Sequence, residues 1–301
     1  MKSLILLLLA TAALAQKIPP LEETGFRPIF DGKTLNGWDG EPGFWRVENG
    51  TIVGETRTDR QPKQNTFLIW RGGTPGNFEL KLEFRLTGFN SGIQYRSIEL
   101  PDIKWAMKGY QADMDGEQQY TGQIYEERGR GFIAMRGQFT RIEDGKKPAV
   151  AGSLGDPTEL KKFINADGWN NLYIIARGDT LIQILNGHVM SMCIDEDKAN
   201  RKMDGLIGIQ IHRGPVMKIE VRNIRLKEFD SSKQAQAGDP EGQKLLQRVC
   251  GHCHKLEIVT SRRLSRERWQ QTIQAMVDKG AEGTEEEFNA ILDYLSKYYG
   301  P

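Results

Sequence analysis

Alternation of apolar and polar positions dominates the chain from Phe26 to Phe229. Phe78, Leu80, Leu82, Phe84 and Leu86 alternate with Glu79, Lys81, Glu83, Arg85 and Thr87. That is the period-two signature of a strand with one face in a core and the other in water. Asn49-Gly50 lies between Trp45-Arg46-Val47 and Ile52-Val53, and Asn186-Gly187 between the apolar runs 181–185 and 189–190. Both predict tight hairpins, because the two turn positions need positive φ. Further strands are predicted at 92–96, 110–114, 122–125, 132–135, 172–176, 206–212 and 218–227. No segment of this region carries a sustained helical period. Many short strands joined by Gly-rich turns predict an antiparallel β-sandwich rather than a parallel α/β sheet.

The pattern changes after Phe229. Residues 230–238 are small, polar and aperiodic, a linker between a β domain at 24–229 and a helical one at 239–301. Asp239-Pro240 offers an N-cap followed by proline. Ser265 caps a second helix with the stripe Trp269, Ile273, Met276 and Val277, closed by Gly280. Thr284 and Glu287 form a capping box for a third, with Phe288, Ile291, Leu292 and Leu295 on one face. Three short helices make a thin core for independent folding.

At the amino end, Lys2 precedes the apolar run 4–10, and Ala13-Leu14-Ala15 supplies a small-x-small cleavage signal. This predicts a signal peptide at 1–15 and an exported protein, periplasmic or extracellular. No other run approaches membrane-spanning length. With 41 basic and 40 acidic residues, nothing in the charge balance calls for a nucleic-acid partner.

Cys250-Gly251-His252-Cys253-His254 has the C-x-x-C-H form of covalent haem attachment. Cys250 and Cys253 are the candidate thioether anchors and His254 the axial ligand. Met276 is the candidate for the sixth position, where a soft thioether favours ferrous iron; the alternative is that Met276 only packs in the core. A haem c would also enlarge the thin helical core. Zinc would want two further Cys or His ligands nearby, and none follows His254. A thioredoxin-type motif would want a βαβ setting. Cys193, the remaining cysteine, lies in an apolar run and is expected as a buried thiol. Arg268-Trp269, Met276, Gly280-Ala281, Tyr294-Leu295 and Tyr299-Gly300 resemble the haem-binding domain of quinohaemoprotein amine dehydrogenases and related small cytochromes c. The resemblance covers about 240–301 and implies Met276 as axial ligand, but no amine substrate.

The run from Phe30 to Trp38, Phe-Asp-Gly-Lys-Thr-Leu-Asn-Gly-Trp, is similar to the entry motif of the 3-keto-disaccharide hydrolase family. Further matching pieces lie at 77–84, 90–97, 109–113, 208–212 and 221–225. The resemblance implies a concanavalin-like jelly roll, so the expected fold is a mainly β sandwich followed by a small all-α cytochrome c-like domain. Many members have Gly-Tyr-Glu-x-Gln where this chain has Gly109-Tyr110-Gln111-Ala112-Asp113, which leaves open which group does the chemistry. The implied reaction starts from a ketone at C3 of a sugar, which acidifies the C2 proton. A base removes that proton, the enolate expels the C1 substituent, and water adds to the enone. The site then needs a base poised near neutral pH and a cation or donor at the developing oxyanion.

Asp113, Glu126 and Glu127 are the carboxylate candidates, and Arg96, Arg128 and His212 the candidates for stabilising negative charge. Asp113, Glu126, His212 and Arg96 are taken as the catalytic set. A divalent cation held by some of these carboxylates and His212 is the alternative. Each residue also has a structural reading. Asp113 and Glu126 could be solvated on an outer face, Glu127 and Arg128 a surface pair, and His212 a structural strand-end histidine. Arg96, if buried, needs a carboxylate such as Asp113 or Glu126. Trp105 and Tyr110 are candidates for stacking on a sugar; Trp38 and Trp169 are expected in the core.

Two functions follow. The first is an exported hydrolase or lyase of 3-oxo-glycosides coupled to electron transfer, with a sugar dehydrogenase as redox partner. The second is a carbohydrate-binding sandwich that positions a cytochrome without turnover.

Overall fold

A computed structural model describes residues 24–229, 240–251, 255–260 and 262–300. The predicted signal peptide, the linker at 230–238, Cys253 and His254 lie outside these residues. In chain order the strands are β1 (Arg27–Pro28), β2 (Trp38–Asp39), β3 (Trp45–Glu48), β4 (Thr51–Glu55), β5 (Thr66–Trp70), β6 (Phe78–Gly88), β7 (Asn90–Leu100), β8 (Ile103–Asp115) and β9 (Ile124–Glu127). They continue as β10 (Gly131–Ala134), β11 (Gln138–Ile142), β12 (Ala149–Ser153), β13 (Asn170–Arg177), β14 (Thr180–Leu185), β15 (His188–Asp195), β16 (Leu206–Ile211) and β17 (Met217–Glu228).

They form two sheets, a jelly-roll-like sandwich. One runs β12-β11-β15-β14-β13-β6-β17-β4-β3 with β1 paired to β17; the other runs β10-β9-β8-β7-β16-β5-β2. Both predicted Asn-Gly hairpins are present. Asn49 and Gly50 have φ of 50° and 76°, Asn186 and Gly187 of 49° and 85°, the left-handed pair that a two-residue turn needs. Pairing is antiparallel except at β11–β15, which is parallel. Strand alternation sends Leu80, Leu82, Phe84 and Leu86 of β6 into the shared core, together with Ile93, Tyr95, Tyr110, Ala112, Ile207 and Ile209 from the opposite sheet.

Several side chains depart from expectation. Tyr110 is core rather than a stacking platform, its hydroxyl donating to Asp195 at 2.5 Å. Trp105 donates Nε1–H to Asp39 at 2.9 Å. Trp38 is buried as expected, but Trp169 is half-buried and lies under the guanidinium groups of Arg222 and Arg85. Arg96 is buried without the expected carboxylate. The register of β7 on β8 shifts between Tyr95 and Ile98, with Arg96 at φ 45°. A bulge re-aims a side chain, and here the guanidinium donates to the carbonyls of Gly76 (2.9 Å), Gly178 (2.7 Å) and Lys202 (3.2 Å). Carbonyl dipoles satisfy its donors in place of an anion, while burial lowers its affinity for the proton. Cys193 is fully buried, and burial pushes its thiol up to about 12.

Arg130 holds the rim of the two sheets together. It donates to Glu126 at 2.5 Å and to Asp195 at 2.5 and 3.1 Å, and lies 3.5 Å from Asp197. All three carboxylates are buried. Burial alone would weaken the guanidinium's hold on its proton, but these anions raise it.

A short helix α1 (Pro157–Lys161), capped by Asp156, interrupts the β region. Beyond the linker are α2 (Pro240–Cys250), α3 (Glu257–Thr260), α4 (Arg266–Val277) and α5 (Glu285–Tyr298). The Ser265 cap and the Thr284–Glu287 capping box form as predicted, and α3 was not foreseen. Trp269 is completely buried among Leu246, Ile291, Tyr294 and Leu295, and its Nε1–H donates to the Tyr299 carbonyl at 2.9 Å.

Removing Arg130 strands three buried carboxylates, a defect that costs about 3 kcal/mol or more. Arg130→Met is expected to lower unfolding free energy by that order in urea denaturation at pH 7. A loss below about 1 kcal/mol would show that the cluster is not a structural tie.

Candidate active site

In the sheet of β7, β8, β9 and β16, the residues facing the core are mostly apolar, with Glu126 tied to Arg130 and Ser91 to the Gln210 carbonyl at 2.7 Å. The intervening positions, Gln94, Gln111, Asp113, Tyr125, Glu127 and His212, face outward. Asp113, Gln111, Tyr125, Glu127 and His212 meet in an open cleft of about 670 Å³, with Asn90, Asn65, Tyr120, Arg128, Phe132 and Arg213 also on its walls.

Asp113 is the most unusual group there. Only 7% exposed, its carboxyl is pushed up to about 7 by burial, and by the nearby Asp115, against hydrogen bonds from Gln111 and Asn90 that favour the charged form. Gln111 Nε2 donates to Oδ1 at 3.1 Å. A carboxyl half-ionised near neutral pH can both accept and return a proton. Gln111 and Asp113, two residues apart on β8, thus place an amide and a carboxyl on one strand face, in contact.

His212 lies at the end of β16 on the same cleft. Its Nδ1 is 2.7 Å from the Arg213 carbonyl, and a carbonyl only accepts, so in the neutral ring Nδ1 carries the hydrogen and Nε2 the lone pair. Its ring meets Phe89 edge-to-face at 5.1 Å. Glu127, expected as half of a surface pair, is buried in the cleft wall and accepts from Asn65 at 3.1 Å, with Arg128 Nε 3.9 Å away. Arg128 sits at φ 55° in the β9–β10 turn, a conformation that costs a non-glycine residue on the order of 1 kcal/mol and sets its side chain on the cleft rim.

Of the four residues taken as the catalytic set, the fold brings Asp113 and His212 together and places the other two elsewhere. Glu126 is one residue from Glu127, so its side chain points to the opposite face, where Arg130 binds it. Arg96 serves the carbonyls named above. Among the described residues, no group of three or more His, Cys, Asp or Glu side chains is positioned to hold a metal ion.

An aromatic wall that the sequence does not mark lines the cleft. Phe132 stacks on Tyr120 at 5.7 Å and meets Tyr125 edge-on at 5.2 Å, and it is 45% exposed. These rings come from β9, β10 and the preceding loop. A Tyr or Phe on an outer strand face carries no pattern that separates it from ordinary surface, so only the fold could assemble them.

A second cavity, about 310 Å³, lies within the helices. Its lining includes Cys250, Trp269, Ile273, Met276, Phe288 and Leu295, with Arg262 and Lys279 also contributing. It is chiefly apolar, and it sets the first candidate thioether anchor and the candidate axial thioether on the wall of one space.

Comparison with known proteins places the β-sandwich. A 3-keto-disaccharide hydrolase of Bacteroides thetaiotaomicron is 25% identical over 244 residues, 70% of this chain and 81% of its own length. A Parabacteroides distasonis structure, provisionally described as a glycosyl hydrolase, covers 68% of this chain and 94% of its own at 19% identity and a TM-score of 0.45. A carbohydrate-binding module from Bacillus subtilis covers 64% and 96% at 15% identity and a TM-score of 0.41. Residues 25–227, from just before β1 to one residue before the end of β17, match the model of the 3-keto-alpha-glucoside-1,2-lyase-like domain. The chain belongs to that family.

Proposed function

We propose that the β-sandwich cleaves 3-oxo-glycosides, with Asp113 as the base that removes the C2 proton. The observation that carries this reading is a carboxyl almost wholly buried, held by Gln111 at 3.1 Å and set in an open polar cleft that also holds His212 and Arg128. The C2–H electron pair moves to the C2–C3 bond while the C3 carbonyl becomes an enolate. Arg128, which shares the cleft walls with Arg213, is the cation assigned to that oxyanion. As the carbonyl re-forms, a C1–C2 double bond develops and the C1–O bond breaks. The proton on Asp113 is then available to the departing oxygen. Water adding at C1, with a proton at C2, completes net hydrolysis. Phe132 and the two tyrosines offer apolar faces for the C–H face of a sugar ring. The same exposed wall also favours the second reading, a carbohydrate-binding sandwich without turnover.

We further infer that the helical segment holds a covalent haem c in an exported protein. The 310 Å³ cavity fits such a group by its apolar walls and by the thiol of Cys250 and the thioether of Met276 on them. Cys253 and His254, outside the described residues, would supply the second anchor and an axial nitrogen. When bound, the group supplies one-electron transfer. A partner sugar dehydrogenase, which removes two electrons to make the 3-ketone, is the matching source of substrate.

Purified protein incubated with a 3-oxo-disaccharide is expected to release monosaccharide. Asp113→Asn should reduce release at least ~100-fold, and wild-type kcat/KM should rise with pH through about 7 as the carboxyl ionises. Absence of release by wild type would leave the binding reading.

The same carboxyl affects stability. Its folded-state midpoint lies above the ordinary 3.8, so the folded protein binds the proton more tightly than the unfolded chain. Its contribution is present below about pH 4 and lost as pH rises through 7. Asp113→Asn should therefore gain stability over wild type across that window, by up to about 4 kcal/mol at ~1.4 kcal/mol per pH unit. Urea denaturation at pH 4 and pH 8 measures this; equal differences at both would contradict a raised midpoint.

Protein matured in a host competent for cytochrome c assembly should carry the mass of one haem and show a low-spin reduced spectrum, turning high-spin in Met276→Ala. An unmodified mass with both thiols free would rule the haem out, and an unaltered spectrum in the variant would remove Met276 as ligand.

A further inference from the structure

Gln94 and Ser97 touch no part of the cleft, yet they are tied to its base. Both are completely buried in β7. The Ser97 hydroxyl donates to Gln94 Oε1 at 2.5 Å, Gln94 Nε2 to Gln111 Oε1 at 3.3 Å, and Gln111 Nε2 to Asp113 Oδ1 at 3.1 Å. The geometry points to a hydrogen-bonded relay, Ser97 to Gln94 to Gln111, that positions Asp113 from within the sheet and keeps an amide donor aimed at its Oδ1.

Three features make the relay a unit. Its polarity is common: in each of the three bonds the donor lies on the Ser97 side and points toward Asp113, the Ser97 hydroxyl also lying 2.9 Å from the Tyr95 carbonyl. Turning Gln111 over would set its NH₂ against the NH₂ of Gln94 and its carbonyl against a carboxylate oxygen, two repulsions in a buried setting. Its space is reserved by glycine. A Cβ at Gly92 would lie 2.5 Å from Cγ and Cδ of Gln111, so that side chain can cross β7 only where no side chain stands. Its far end is held by backbone contact. Gly109, at φ 149°, lets Ser97 approach so closely that a Cβ there would lie 2.7 Å from the Ser97 Cα. The bulge that re-aims Arg96 also turns Ser97 toward Gln94. Gln94 and Ser97 are thus positioning residues, acting on the base through Gln111.

An amide donor stabilises the ionised carboxyl, so weakening the relay moves the titration of Asp113 upward. The groups around it are Asp115 on its own strand, Asn90 on β7, Tyr125 and Glu127 on β9, His212 after β16, and Arg128 and Arg213 on the rim. None is changed by a substitution at 94 or 97.

The inference rests on Asp113 being the base, and the test separates the two ideas. The ¹³Cγ resonance of Asp113, assigned by its absence in Asp113→Asn, is titrated in the full chain for wild type, Gln94→Met and Ser97→Ala. Loss of a donor to a charged group is expected to raise the midpoint by about half to one pH unit in Gln94→Met, and less in Ser97→Ala. The cleavage rate of Gln94→Met should fall most below the midpoint and recover as pH rises. A titration unchanged in both variants, or a rate loss equal at every pH, overturns the relay; if Gln94→Met does not fold, Ser97→Ala decides alone. A shifted titration combined with full cleavage by Asp113→Asn supports the relay and removes Asp113 as base.

Discussion

The pleat of β8 and β9 is the constraint on which the rest depends. A strand offers two faces and no others, so each residue is committed to the apolar interior or to the cleft by its parity. Tyr110 and Ala112 pack inward, Gln111 and Asp113 outward; Ile124 and Glu126 face inward, Tyr125 and Glu127 outward. A shift of one residue in register would exchange the two sets, burying Asp113 in the sandwich and exposing Tyr110. Packing of the core therefore also specifies the chemistry of the cleft.

Electrostatics follow from that division. The inward carboxylates Glu126 and Asp195 share Arg130 and remain structural. Among the described residues the outward Asp113 forms no ion pair; Gln111 donates to it at 3.1 Å and it opens on a polar cleft. Burial without an ion pair is what lifts a carboxyl toward neutrality. Glu126 and Asp113, on neighbouring strands of one sheet, thus differ in partner, an arginine for the first and the amides of Gln111 and Asn90 for the second.

Much was legible in the chain beforehand, and the reasons are local. Asn-Gly turns, the β6 alternation, the Ser265 cap and the Thr284–Glu287 box each arise from a few consecutive residues, and each formed. Asp113 and His212 were legible because their motifs end strands predicted from alternation. Glu126 was indistinguishable from Glu127 without knowing the parity of β9. Arg96 was misjudged because a bulge interrupts the alternation and carbonyls from three distant segments replaced the expected anion. Phe132, Tyr120 and Tyr125 carry no mark in sequence that they will share one wall.

By itself, then, the sequence determined the elements: a long β region, a helical tail bearing the C-x-x-C-H motif, and the residue types able to move a proton or hold a metal. Propensity, capping and turn geometry act over a few residues, so they can be read in order along the chain. Tertiary structure alone decided which of those residues meet. Strand pairing joins β7, β8, β9 and β16 across large sequence separations, and it is this pairing that sets Gln94 against Gln111, puts Asp113 and His212 on one cleft, and turns Arg96 and Glu126 to other partners.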